Sequence, residues 1–500
     1  MKKVCHLLVT LLLVAGLPAA VPSKSACAAV PAPVVPGARV VSVAGVERPA
    51  GEAGVPGRPP ITGVPARCEV TVVLSHADAG ERVKVEVWLP LRGWTGRFLG
   101  TGGGGFATGF SAEGLAPAVK GGFAAVATDG GIGINPVSPA AWALDASGRV
   151  NWGLLANFAT RSVHDMTVVG KAVTRSFYGR PPAHSYWNGC STGGRQGLAE
   201  AQLHPRDYDG IVAGAPAIEL PRFSLAQFWP QVVMNQERTR PSACEFDAFT
   251  KAAVDDCDPL DGVADRVIGD PAACRFDPAR LIGTKTPCGA TISAATAEVV
   301  RRIWDGPRGL GKGLVKGAGF AKLAGAAPLP IADNWIRYFV GRDPRMDTTK
   351  IDYPGFERLV SASTGSYDHL LANAAPNLSA LRDEGGKVLL WHGLADAEIS
   401  PGTTIDYKHE VERVTGRTDE FFRLFLAPGA GHCGAGVGVA PVDPMAAMIA
   451  WVERGRAPDT LPAASTDAKT TRDLCRHPRV PVYDGHGDPN SANSFRCTGS

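Results

Sequence analysis

The residues able to do chemistry begin at Gly189-Cys190-Ser191-Thr192-Gly193, a G-x-S-x-G pattern. It follows the apolar run AHSYW and precedes a helix-compatible run through Glu200, the strand-turn-helix context of a nucleophile elbow. Small residues on either side let the chain turn sharply, so that the Ser191 hydroxyl projects from the end of a sheet. The amide of Thr192 and the helix N-terminus then face negative charge developing on a substrate oxygen. Alone, the pattern is weak, because Gly-rich strand-helix turns also serve packing.

A serine hydroxyl is a poor nucleophile at neutral pH, so it needs a base, and the base needs an orienting acid. Asp396 in LLWHGLADAEISP and His432 in RLFLAPGAGHCG each follow a strongly apolar strand. They come in the order Ser, Asp, His that α/β-hydrolases use. Either residue alone reads as a surface or capping group; their joint placement reads as a triad of Ser191, His432 and Asp396. Glu398 is the rival for the orienting role. His392, on the end of the strand before Asp396, reads as support for the site, and His164 as a helix-face or packing residue.

These residues need elements to hold them. CEVTVVLSH and RVKVEVWLP alternate with the period of antiparallel strands. RFLGTGGGG, AAVATDGG, SYWNGCSTGG and GIVAGAPA are short apolar runs stopped by glycine, with helical segments such as VHDMTVVGKAVTRSFYG and GLAEAQLHP between them. Strand-helix alternation predicts an α/β fold with a mainly parallel sheet. Residues 219–385 break the rhythm with polar, Cys-rich and aromatic sequence, and GKVLLWHGLAD resumes it. The expected organisation is a signal peptide over 1–25, a core in two parts, 26–218 and 386–500, and an inserted lid over 219–385. Pro- and Gly-rich sequence over 21–66 reads as an extended arm.

Composition limits the partners. With 51 basic and 48 acidic residues the net charge is +3, and no basic patch points to nucleic acid. Lys2 and Lys3 precede an apolar run too short to span a membrane, followed by small residues, so the protein is expected to be secreted or periplasmic. Lys24 stands where a lipid-anchor motif has an apolar residue. Of 11 cysteines, Cys5 leaves with the signal, and cleavage before Cys27 keeps an even ten, enough for five disulfides in an oxidising compartment.

The lid carries a second constellation. Asp258, Asp261 and Asp265 crowd one Gly-containing turn between Cys257 and Cys274. Such carboxylates repel one another unless a cation binds, and hard oxygen ligands suit calcium. The spacing is not that of an EF-hand, and a solvated acidic loop is the alternative.

The sequence resembles the tannase and feruloyl esterase family, whose members carry a Cys-Ser pair at the nucleophile and a His-Cys pair at the base. SYWNGCSTGGRQGLAEAQLHPRDYDGIVAGAPA, GKVLLWHGLAD and GAGHCG are similar to that family's motifs, and VEVWLPLRGWTGRFLGTGGGG to its N-terminal section. The resemblance implies an α/β-hydrolase core with an inserted lid. It implies a disulfide between Cys190 and Cys433, joining the residue before the nucleophile to the residue after the base. By chain entropy such a link contributes on the order of 5 kcal/mol at most. It also implies a structural calcium held by Asp258, Asp261 and Asp265 with the carbonyls of Val263 and Val267, in a loop closed by Cys257 and Cys274. Cys27 with Cys68 and Cys475 with Cys497 resemble family pairs, leaving Cys244 with Cys288.

The activity the resemblance implies is hydrolysis of esters of aromatic acids, galloyl or hydroxycinnamoyl, by two-step acyl transfer to water. The oxyanion donors are taken as the amides of Thr192 and, in the Gly102 to Gly105 turn, Gly104. Phe228, Trp229, Trp335, Tyr338 and Phe339 of the lid are aromatic residues that would stack on a substrate ring, with Trp335 and Tyr338 the chosen pair, against the alternative that they form the lid's own core. Relatives also hydrolyse the mono(hydroxyethyl) ester of terephthalic acid, but that branch carries an acidic residue after the nucleophile, where Thr192 stands. A serine acyltransferase or peptidase, and a non-catalytic binding protein on the same scaffold, are the remaining alternatives.

Overall fold

The computed structural model describes residues 27–55, 57–310 and 312–499. The expected signal over 1–25 lies outside the described residues. The core is built on nine strands: β1 (Arg39–Arg48), β4 (Arg67–Ser75), β5 (Val83–Pro90), β6 (Arg97–Thr101), β7 (Ala124–Thr128), β8 (His184–Cys190), β9 (Gly210–Gly214), β10 (Lys387–Gly393) and β11 (Phe422–Ala427). A hairpin, β2 (Gly51–Val55) and β3 (Arg58–Val64), stands apart from them. Across the sheet the order is β1-β4-β5-β7-β6-β8-β9-β10-β11. The first four are antiparallel, and from β7 onward every pair is parallel. This is the mainly parallel sheet expected from the alternation, in the α/β-hydrolase core that the resemblance implies.

Sequence explains the change of pairing. The residues of β4 alternate between buried and half-buried, as an antiparallel strand near an edge requires, whereas β7 and β9 are buried at every position. Helices cover both faces. The helix Ser162–Tyr178 buries Val163, Met166, Val169 and Val173 against one side and stops at Gly179, whose φ of 73° closes it in a left-handed cap. Met448 and Trp451 of the helix Pro444–Arg454 pack on the other side with Leu389 and Phe425.

The segment expected to be an extended arm is different. Residues 39–48 form an edge strand paired with β4, and residues 51–64 carry the β2-β3 hairpin. An edge strand needs a partner on one side only, so glycine is tolerated in it. Gly45 is in fact required, because a Cβ there would lie 1.9 Å from the Cys27 carbonyl oxygen. Cys27, bonded to Cys68 of β4, pins the start of the described chain across this edge.

Between β9 and β10 the chain leaves the central sheet and builds a largely helical layer with one apolar core of its own and a second that it shares with residues 106–159. Its main helices are Leu220–Gln236, Ala243–Cys257, Ala294–Asp305 and Tyr353–Leu371. Ser242 and Glu245 cap the second of these reciprocally. After β11 come a small sheet of β12 (Ala440–Pro441), β13 (Thr460–Ala464) and β14 (Thr471–Cys475), and a hairpin of β15 (Val480–Tyr483) and β16 (Phe495–Thr498). No helix among the described residues is long and apolar enough to cross a membrane.

Candidate active site

Because β8, β10 and β11 run parallel, their C-terminal ends share one edge of the sheet. The register sets Cys190 beside Gly214, Gly214 beside Trp391 and Trp391 beside Phe425. The loops leaving β8, β10 and β11 carry Ser191, Asp396 and His432 from that row, the edge at which open α/β sheets place their ligands.

Ser191 sits between β8 and the helix Thr192–Leu203 with φ 61° and ψ −122°, a conformation that L residues rarely adopt. The turn is held from three sides: the Ser191 amide donates to the Gly214 carbonyl, and the Ser191 carbonyl accepts from the amides of Arg195 and Ala217. The glycines around it allow close approach. A Cβ on Gly189 would meet the Gly193 backbone at 2.6 Å, and one on Gly102 would meet Gly193 Cα at 2.4 Å.

The Gly102 to Gly105 turn after β6 is bound to this helix start. The Gly193 amide donates to the Gly103 carbonyl, and Thr192 Oγ1 donates to the Gly105 carbonyl at 2.8 Å. Gln196 closes the link: its Oε1 accepts from the Gly103 amide at 3.0 Å and its Nε2 donates to the Thr108 carbonyl at 2.9 Å. Gln196 was missed in the sequence. Its signal was a buried amide one turn beyond the serine, on the helix face toward the glycines.

Asp396 Oδ2 accepts from His432 Nδ1 at 2.7 Å. Its other oxygen accepts from the amides of Glu398 and Ile399. His392 Nε2 reaches Asp396 Oδ2 and the Ile399 carbonyl, each at 3.1 Å, while His392 Nδ1 meets Thr404 Oγ1. A proton on Nε2 of His392 satisfies all three contacts, with the threonine hydroxyl donating to Nδ1. His392 thus supports Asp396. Glu398 pairs with Lys322 and contributes its amide to Asp396; its carboxylate makes no bond to His432.

Asp396 is 1% exposed, and burial works against its charge. The hydrogen bonds from His392 and His432 outweigh that penalty and hold its carboxyl well below the usual carboxylate range. At His432 burial opposes the cation, and the hydrogen bond and charge of Asp396 more than compensate, raising the imidazole above 6.5. With Nδ1 engaged on Asp396, the opposite ring nitrogen is left to take a proton.

The four disulfides implied by the resemblance, and the pair left over, are all formed: Cys27 with Cys68, Cys190 with Cys433, Cys257 with Cys274 and Cys475 with Cys497, and then Cys244 with Cys288. Cys190 and Cys433, 243 residues apart in sequence, lie 6.0 Å apart at Cα, so the neighbours of Ser191 and His432 are covalently joined.

The lid aromatics correct one expectation. Trp335 is fully buried, its indole donates to Ser363 Oγ, and it packs on Phe339 and Tyr367. It belongs to an apolar cluster that the lid shares with Phe106, Trp142 and Phe158 of the core, as do Phe228 and Phe339, and has no free face for a substrate. Tyr338 is half-buried against the same cluster, and Trp229 stacks on Tyr353. Phe223, Gln227, Leu310 and Leu323 of the lid close a small cavity beside Asp396, which neither Ser191 nor His432 lines.

In the acidic turn Asp258 is buried and accepts from the amides of Asp265 and Arg266. Asp261 accepts from the Val263 amide, and Asp265 from that of Val267. Burial, and then the charges of Asp265 and Asp258, push the Asp261 carboxyl up to about 6. Among the described residues, Arg472 of β14 is the one guanidinium bonded to the turn, at 2.7 Å from Asp265. Their oxygens are of the type a hard cation takes, although as they stand the three do not lie within 4.8 Å of one another.

Fold and site together define a carboxylic ester hydrolase of the α/β-hydrolase class. Residues 68–329 and 325–498 match the family model for tannase and feruloyl esterase, and the chain belongs to that family. A probable feruloyl esterase of Arthroderma benhamiae is 45% identical over 500 aligned positions, covering 94% of this chain and 93% of the relative. The mono(2-hydroxyethyl) terephthalate hydrolase of Piscinibacter sakaiensis is 31% identical, covering 86% of this chain and 84% of its own. Among solved structures, feruloyl esterase B from Aspergillus oryzae superposes with a TM-score of 0.83 at 28% identity, over 95% of this chain and 100% of that one. The tannin acyl hydrolase from Aspergillus niger superposes with a TM-score of 0.85 at 26% identity, over 96% and 95%.

Proposed function

We propose that the protein is a secreted serine esterase that hydrolyses esters of hydroxycinnamic or gallic acids, with Ser191 as nucleophile, His432 as base and Asp396 as orienting acid. The observation that carries this reading is the short Asp396 to His432 hydrogen bond, on a loop stapled by Cys190 and Cys433 to the strained turn at Ser191.

The free ring nitrogen of His432 takes the Ser191 proton as Oγ attacks the ester carbonyl. Asp396 stabilises the imidazolium without itself taking the proton. The tetrahedral oxyanion is held by the amides of Thr192 and Gly104, and loss of one such donor costs about 100-fold or more in rate. Collapse breaks the ester bond, and the alcohol or phenol leaves with the proton from His432. Water, activated by the same imidazole, then attacks the acyl-enzyme and releases the aromatic acid and free Ser191.

Asp258, Asp261 and Asp265, with the carbonyls of Val263 and Val267, would hold a structural calcium. The ion would supply charge neutralisation within the lid loop and would take no part in the ester chemistry.

The test is steady-state hydrolysis of methyl ferulate, methyl gallate and the mono(hydroxyethyl) terephthalate ester, with Ser191→Ala as blank. Selective turnover of ferulate or gallate, lost in the variant, is the expected result. Preference for the terephthalate ester would replace the substrate assignment. Failure of a fluorophosphonate to label Ser191 would overturn the triad.

A further inference from the structure

The second cluster of metal-ligating side chains lies on the flank of the core, away from the Ser191 edge. His164 opens the helix Ser162–Tyr178; His204 terminates the helix Thr192–Leu203, at the end opposite Ser191; Asp207 follows three residues later. His164 Nδ1 lies 2.6 Å from Asp207 Oδ2, and the rings of His164 and His204 stack with centroids 3.7 Å apart. One ligand atom from each of the three lies within 4.8 Å of the others, and all three side chains are half-buried and reachable from solvent. Among the described residues it is the one His, Cys, Asp or Glu group of three or more that meets this spacing.

Glu200 is the independent observation. It is 1% exposed, and no donor group reaches either carboxylate oxygen. Its carboxyl lies against that of Asp207. Lys171, the nearby ammonium, donates to the Asp207 main-chain carbonyl and to neither carboxylate. Packing alone accounts for a histidine stack. It does not account for a buried carboxyl with no donor, aimed at the acid that the stack already holds.

We propose that His164, His204 and Asp207 bind a divalent transition cation of the Zn2+ type, with Glu200 behind Asp207 as the second negative charge. Two imidazoles and a carboxylate are the mixed nitrogen and oxygen donors that zinc accepts in tetrahedral sites, unlike the all-oxygen set of the lid turn. Binding requires the two rings to splay from their stack so that both lone pairs converge, which their exposed edges permit. The ion would clamp the far end of the helix that begins at Ser191 to the helix Ser162–Tyr178, a structural role separate from the ester chemistry.

The experiment uses the full oxidised chain, stripped of transition metals and kept in calcium, with Zn2+ alone as probe. Calorimetric titration with metal analysis should give one Zn2+ bound at this site and a rise in Tm. Affinity should fall about tenfold or more in His204→Gln and again in Glu200→Gln. His204 is half-buried at a helix end, so its variant folds even if the buried Glu200→Gln does not, and His164→Gln repeats the test on the other helix. The imidazoles of His409 and His477, with Nε2 atoms 3.4 Å apart, are a second place for zinc to bind. No binding, binding unchanged in both His164→Gln and His204→Gln, or binding lost only in His477→Gln, would each overturn the proposal.

Discussion

Asp396 accepts from two imidazoles, and the pH behaviour of the esterase follows from how that carboxylate acts on one of them. His432 must be neutral to take the Ser191 proton, and Asp396 raises its pKa above 6.5. Activity is therefore full above that raised value and falls as pH drops through it. Asp396→Asn removes the charge and, with the amide oxygen kept on the Glu398 and Ile399 amides, turns an NH2 toward His432 where an acceptor stood, leaving burial, which lowers the pKa. The acid limb of kcat/KM should move to lower pH, and kcat should fall by about 10⁴-fold as the imidazole loses its tautomer. A pH-rate profile of the two proteins checks both; an unmoved limb would mean that another group sets it. At this scale much was legible. Serine, aspartate and histidine each follow an apolar strand in a fixed order, so their convergence could be expected. Gln196 could not be found the same way, because its role depends on which loop packs across it.

Among the elements, the three loops behind β8, β10 and β11 owe their alignment to parallel pairing, but pairing places only their starts. Between Gly393 and Asp396, and between Ala427 and His432, the chain runs free of the ladder. The Cys190 to Cys433 bond limits that freedom at the point where the chemistry needs it. Replacing both cysteines by alanine should therefore lower kcat much more than it lowers secondary-structure content. Circular dichroism and hydrolysis of the same ester, compared side by side, test this, and undiminished turnover would defeat the role given to the staple. The fold was legible where a periodic pattern reached the core, as in β4, β5 and the fully buried β7 and β9. It was obscured over 39–64, where a one-sided edge strand and a hairpin contain too much glycine and proline for alternation to stand out. It was obscured again at Trp335–Val340, a π-helical turn whose aromatics read equally as pocket or core.

For the whole molecule, the acidic turn is a junction. It sits in the lid, between Cys257 and Cys274, yet Asp265 is bonded to Arg472 of β14, whose guanidinium also lies 3.7 Å from the centre of the Phe495 ring. Lid and C-terminal sheet are thus tied through a loop whose own carboxylates repel one another. One arginine offsets only part of that repulsion, since Asp261 and Asp258 have no basic side chain bonded to them among the described residues. A calcium ion would remove it, and with the ion at a hundredfold its Kd the folded state would gain about 2.7 kcal/mol. Chelation should accordingly lower Tm, with calcium restoring it. Asp261→Asn separates this from a nonspecific chelator effect: it removes one ligand and also one repelling charge. The variant should lose the calcium-dependent shift while melting, in chelator, no lower than the chelated parent. A calcium shift that persists in Asp261→Asn would place the ion elsewhere, and a chelated variant far less stable than the chelated parent would mean that Asp261 serves the loop through its hydrogen bond to Val263 and not through a metal.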